Sequence, residues 1–160
     1  MTTPLAHHNH GQIRSYAIVA TLIGFLLMVG FENIGAETPS SQLQLQFAWT
    51  AEQTRVVLVG WGEAGRARVV NGIYADTLFL IGYTSLLWQW LRAWRQPRWL
   101  AWGVVLAGGL DALENVFLLG FIRGEIDIGY TLPVSLMATL KFSLIGVALY
   151  YLARHRRAGG

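Results

Sequence analysis

Apolar positions in this chain gather into four long runs, with polar and charged residues confined mostly to the joints between them. Ser15 to Phe31 is a charge-free run of 17 residues that continues through Glu32 and Asn33. Gly72 to Leu91 is interrupted by charge only at Asp76, Trp99 to Ile122 carries Asp111 and Glu114, and Tyr130 to Ala153 carries Lys141. Each run is near the roughly 20 residues that a helix needs to cross about 30 Å of hydrocarbon. The pattern predicts an all-α membrane protein, a single domain folded as a four-helix transmembrane bundle, with spans at about 15–35, 72–92, 99–122 and 130–153.

The joints set the direction of the chain. Arg92 to Arg98 and Arg123 to Gly129 are too short to carry a helix back across the bilayer, so consecutive spans run antiparallel. Pro97 interrupts the first joint, and Pro133 falls in the first turn of the last helix, where its missing N–H is harmless. Arginine decides the orientation. Arg14, Arg92, Arg95, Arg98, Arg154, Arg156 and Arg157 share one side, against Arg55, Arg66, Arg68 and Arg123 on the other. The richer side is cytoplasmic by the positive-inside rule, which predicts N-in/C-in topology. Aromatic anchors fit: Tyr16, Trp90, Trp94, Trp99, Trp102, Tyr150 and Tyr151 gather at the inner boundary, and Trp49, Trp61, Tyr74 and Tyr130 near the outer one. The first run has an over-long apolar core, with Ile34 at the −3 position of the small-residue site at Ala36, so a retained helix is expected rather than a cleaved signal peptide.

Residues 37–71 form an external segment too long for a simple turn. It opens with Pro39 and serines, then alternates polar and apolar from Gln42 to Phe47 in a strand-like or interfacial pattern. Thr50 with Gln53 resembles a capping box that opens a helix through Val59, and Gly60, Gly62 and Gly65 around Trp61 are expected to bend or interrupt it. An amphipathic connector on the outer membrane surface is the simpler expectation. A lid over an opening between the helices is the sharper one.

Composition narrows the function. Hydrophobic residues make up 54% and charged residues 13%, with mean hydropathy +0.42, whereas soluble domains carry roughly 25% charge. The net charge of +3 comes from arginines dispersed around the spans, so it reads as a topology signal and not as a nucleic-acid surface. Cysteine is absent, which excludes disulfides, thiol catalysis and cysteine-ligated clusters. The excess of arginine over lysine points to a GC-rich genome and hence a bacterial plasma membrane.

Candidate chemistry lies inside the spans. Lys141, the only lysine, and Asp111 both fall within about 1–2 Å of their span midpoints by helix rise. Glu114 comes roughly 5 Å nearer the outside, and Glu32 and Asp76 roughly 9–10 Å outward of centre. Ionisable groups at such depth are costly and need a partner or a purpose. Asp111, Glu114 and Asn115 stand at i, i+3 and i+4 on one helix face, and Asp76 and Tyr83 share another. Gly24, Met28 and Glu32 align on the first helix. Small residues on these faces (Ala17, Thr21 and Gly24; Gly103 and Ala107; Gly108 and Ala112) allow close helix approach. Matching depth predicts a Lys141–Asp111 pair, helped by Asn115 or Tyr83, and leaves Glu114, Glu32 and Asp76 without a cation at their level.

The polar cluster of Glu32, Asp76, Tyr83, Asp111, Glu114, Asn115 and Lys141 therefore admits two kinds of function. One is a non-enzymatic protein whose outward cavity binds an amphiphilic ligand or a partner helix. The other is a membrane-embedded enzyme in which Glu114 or Asp111 shuttles a proton on a lipid-soluble substrate while Lys141 steadies negative charge, or a proton-coupled carrier acting as a dimer. No complete catalytic constellation favours the second, and enzymatic activity stays open. No cofactor or metal is expected: no histidine lies within a span, His7, His8 and His10 sit in the polar tail, and His155 among the C-terminal arginines. Gly60 to Gly65 lacks the context of a phosphate loop. The expected partners are the lipid bilayer, an amphiphilic small molecule, and a homo-oligomer or larger membrane complex, with no nucleic acid.

Overall fold

The computed structural model describes residues 5–33 and 40–158, with side chains over 12–33 and 40–155. Ile34, Ala36 and Pro39 lie outside the described residues, as do the side chains of His7, His8, His10, Arg156 and Arg157. Among the described residues the structure is 90% helix, with no strand. Its elements are α1 (Leu5–Asn33), α2 (Gln42–Gln46), α3 (Ala51–Ala93), α4 (Arg98–Arg123), a 3₁₀ turn (Ile128–Tyr130) and α5 (Thr131–Ala158).

Gln12–Asn33, Arg98–Arg123 and Ile128–His155 are long and apolar enough to cross a membrane. Their outward faces carry bare apolar side chains, including Leu22, Leu26, Trp102, Val116 and Leu136, each more than half exposed. The second expected span, 72–92, is helical but is not among these three. Its place in the fold supplies a reason. The α3 helix packs against α1, α4 and α5, and its acidic residue in this stretch, Asp76, is buried there.

Residues 42–46 are a helix and not a strand. Ser41 accepts the Leu43 amide and Gln44 accepts the Ser41 amide, a reciprocal capping box. No neighbouring strand exists among the described residues to satisfy an extended backbone, whereas the turn closes Gln44 N–H on the Ser41 carbonyl (2.9 Å) and Phe47 N–H on the Leu43 carbonyl (3.2 Å), with the capping box meeting further amides. The turn puts Gln42, Leu45 and Gln46 on one buried face. The segment also packs on the long helices. Leu45 joins Leu58, Trp61, Val69, Ile73, Leu118, Phe121 and Val134 in a hydrophobic core at one end of the helices. Phe47 stacks on Phe142, the Trp49 amide donates to Ser135 Oγ (3.2 Å), and the Thr54 and Thr131 hydroxyls share a 2.8 Å hydrogen bond. Trp61, expected as an interfacial anchor, is instead 6% exposed in that core and donates Nε1 to Gln44 (2.7 Å).

Thr50 caps α3 by accepting the Gln53 amide (3.2 Å), as its spacing predicts. The helix does not stop at Val59. It runs on to Ala93 with one interruption, at Gly62, whose φ of 58° and ψ of −168° are open in practice only to glycine. Arg66 Nε donates to the Leu58 carbonyl (2.9 Å), satisfying one of the acceptors freed at the end of the first half. Gly60 and Gly65 stay helical.

Close packing of α1 on α3 depends on two glycines that meet backbone. A side chain on Gly24 would strike Phe79, and one on Gly82 would strike Thr21. Ala17 and Ala107 are buried, and Gly108 faces Thr84, in keeping with the small-residue faces. Ala112 departs from them and is exposed. At the opposite end, Tyr83, Leu87, Leu91, Leu100, Ala101, Val104, Ala148 and Leu152 form a second core. Asp76, Asp111, Glu114, Asn115 and Lys141 all fall, along their helices, between the two cores.

Candidate functional site

The face of α4 carrying Asp111, Glu114 and Asn115 turns toward α3 and α5, and all three residues are buried. Opposite them on α5, Lys141 is 3% exposed and its ammonium donates to Asp111 Oδ1 at 2.6 Å and to Glu114 Oε1 at 3.2 Å. The predicted Lys141–Asp111 pair is therefore formed. The expectation that Glu114 has no cation is corrected: the i, i+3 spacing presents both carboxylates to one ammonium. A lysine carries three N–H donors, so it can serve both. Lys141 also lies over the Phe142 ring, 4.8 Å from its centroid.

From α3, Tyr83 donates its hydroxyl to the other Asp111 oxygen (2.9 Å). Asp76 accepts Asn115 Nδ2 at 2.7 Å. Asn115 thus supports Asp76 and not the ion pair, which takes Tyr83 instead. Among the described residues, no basic side chain is in salt-bridge contact with Asp76. Glu114 Oε2 and Asn115 Oδ1 are buried without a hydrogen-bond partner.

Glu32 stands apart from this network. At the end of α1 it packs on Gly72 and accepts the Gln42 amide through Oε1 (2.9 Å), tying α1 to α2. Gln42 Nε2 reaches Met28 Sδ at 3.2 Å. A cavity of about 420 Å³ joins the two groups. Asp111, Lys141, Tyr83 and Asp76 line it together with Glu32. Phe25 and Val29 of α1, Phe79 of α3, and Phe142 and Ile145 of α5 supply apolar wall. Gln42, Leu43 and Gln46 of α2 complete it. Glu114 and Asn115 lie behind the lining.

Sequence reasoning missed Gln42 and Gln46 because the alternation in that stretch suggested a strand. Reading the same residues at helical spacing would have put both on one face. It also missed Gly82, whose role requires knowing that Thr21 lies opposite. A larger hollow, about 770 Å³, lies toward the other core beside Arg14, Arg92, Thr84, Ser85 and Trp88, and none of the buried carboxylates lines it. Among the described residues no group of three or more His, Asp or Glu is arranged to hold a metal ion. Chemically, the site offers one shared ammonium, several carboxylates and a phenol beside an apolar wall. In comparisons with protein-family models, curated proteins and solved structures, nothing matches this chain.

Proposed function

We propose that this chain is a four-span helical bundle of the plasma membrane, with both termini cytoplasmic, whose polar pocket holds the headgroup of an amphiphilic molecule without transforming it. The observation that carries the reading is the 420 Å³ cavity with buried ionisable groups on one part of its lining and bare apolar side chains on another. That volume falls within the roughly 300–1,000 Å³ usual for small-molecule sites. A wall divided in this way matches a ligand that is itself divided between a polar head and a hydrocarbon tail.

The way the helices pack supports lateral entry. Both α1 and α5 wall the cavity, yet α1 packs extensively along α3 and has no comparable packing against α5. A tail can therefore pass between them into lipid while the head stays beside Lys141. In this reading α2 is the outer cover, fastened through Phe47, Trp49 and Gln42. N-in/C-in orientation rests on the arginine asymmetry, and it puts α2 on the outer side.

Native mass spectrometry of the full chain, incubated in turn with dodecylamine, dodecanol and dodecanoate, tests the reading. At least one should form a saturable one-to-one adduct that Val29→Trp and Ile145→Trp, which fill the apolar wall, both weaken. Absence of any adduct, or equal adducts in wild type and both variants, would overturn it. Orientation is tested separately on single cysteines introduced into this cysteine-free chain: labelling beside Arg95 from outside intact cells would refute it.

A further inference from the structure

The lining of the cavity is unbalanced in two independent ways, and both point to the same kind of headgroup. The first is charge. Lys141 is the only basic side chain on the lining, and its ammonium is already committed to Asp111 at 2.6 Å and to Glu114 at 3.2 Å. Glu32 and Asp76 remain on the same lining, and among the described residues neither forms a salt bridge. Both are at least nine-tenths buried, at 4% and 3% exposure.

The second is hydrogen bonding. Gln42 and Gln46 belong to the lining, are 4% and 1% exposed, and each holds a buried side-chain carbonyl oxygen with no partner. A buried acceptor left unmet is costly, and nearly all such groups in folded proteins find a donor. These two sit on α2, on the same buried face, one turn apart. Glu32, on the facing end of α1, receives the Gln42 amide on Oε1. A ligand that brings hydrogen-bond donors and positive charge answers both imbalances. A carboxylate, a phosphate or a neutral ether would answer neither.

Resting on the ligand-binding reading above, we infer that the cavity takes a protonated primary or secondary amine carried on an aliphatic chain. Its ammonium lies between Asp76, Glu32 and the side-chain oxygens of Gln42 and Gln46, and its chain lies along Phe25, Val29 and Ile145. Lys141 does not contact the ammonium as a partner. Its one positive charge is shared between Asp111 and Glu114, so that group stays net negative, and Asp76 and Glu32 add further negative charge on the lining. The amine can belong to a single-chain amphiphile or to a lipid headgroup, because both present the same N–H donors.

Competition between headgroups tests the inference. The full chain is offered equimolar dodecylamine, dodecyltrimethylammonium, dodecanol and dodecanoate, and adducts are counted by native mass spectrometry. Dodecylamine should exceed dodecanol by about tenfold or more, the weight of one charge-assisted hydrogen bond. It should also exceed the trimethylated cation, which has charge but no N–H. Asp76→Asn and Glu32→Gln should each erase most of the preference for the amine over the alcohol, and Gln46→Leu should narrow its lead over the trimethylated cation. Phosphatidylethanolamine against phosphatidylcholine, in a second mixture, separates a lipid headgroup from a free amine as the source. If dodecanol or dodecanoate binds as well as the amine, or the trimethylated cation matches it, the amine inference fails while ligand binding stands. If none of the four binds, both fail.

Discussion

Replacing Lys141 by Met removes one ammonium and leaves two carboxylates facing each other's empty side. The three side chains are 3%, 5% and 0% exposed, and the contacts are 2.6 and 3.2 Å, so two buried carboxylates lose the one ammonium in contact with them. Breaking a buried pair by deleting one partner costs about 3–5 kcal/mol in soluble proteins. A second limit comes from proton uptake. A carboxylate with a reference value near 4 can be neutralised at pH 7 for about 4 kcal/mol, since each unit is worth about 1.4 kcal/mol. One neutralised carboxylate therefore caps the loss near the same figure, and the two routes agree. Lys141→Met should lower unfolding stability by about 3–5 kcal/mol, measured by tryptophan fluorescence during denaturation in mixed micelles. The triple variant Lys141→Met, Asp111→Asn, Glu114→Gln removes the ammonium together with both carboxylates it contacts and should recover most of that loss. A single variant within about 0.5 kcal/mol of wild type, or a triple variant no more stable than the single, would refute the argument that this ammonium balances both carboxylates.

Two further substitutions address the fold. Gly82→Leu drives a side chain into the Thr21 backbone, so overpacking should cost about 1–3 kcal/mol and weaken a disulfide engineered between α1 and α3; unchanged cross-linking would count against the close approach. Gly62→Ala should destabilise by about 1–3 kcal/mol because its backbone is closed to other residues, whereas Gly60→Ala, with open space around it, should stabilise by about 0.5–1 kcal/mol; the reverse order in thermal unfolding would move the break away from Gly62.

Much of the architecture was legible in the chain because helices long and apolar enough to cross a membrane accumulate hydropathy over many residues. The α4 and α5 runs show this: Trp99, Ile122 and Ala153 lie within the helices Arg98–Arg123 and Thr131–Ala158, and Tyr130 directly precedes the second of them. The run at 72–92 was legible as helix, but its contacts with α1, α4 and α5 were not, since composition does not say which helices pack together. The external segment was misread where it is shortest. Five residues of alternating glutamine and leucine fit a strand or a helical turn equally well, and the choice depends on the Ser41–Gln44 cap and on Leu45 finding the core around Trp61.

The candidate site divides along the same line. Helical spacing by itself put Asp111, Glu114 and Asn115 on one face, and depth alone matched Lys141 to Asp111, because rise and period are properties of any helix. Sequence thus determined that a buried ion pair exists and at what level. Only the tertiary structure decided that Glu114 shares the ammonium, that Asn115 serves Asp76 while Tyr83 serves Asp111, and that Glu32 closes α1 onto α2. Those assignments depend on how helices are rotated and offset against one another, and that is set by packing of glycines, aromatics and the α2 cover, contacts between residues far apart in the chain that no local spacing encodes.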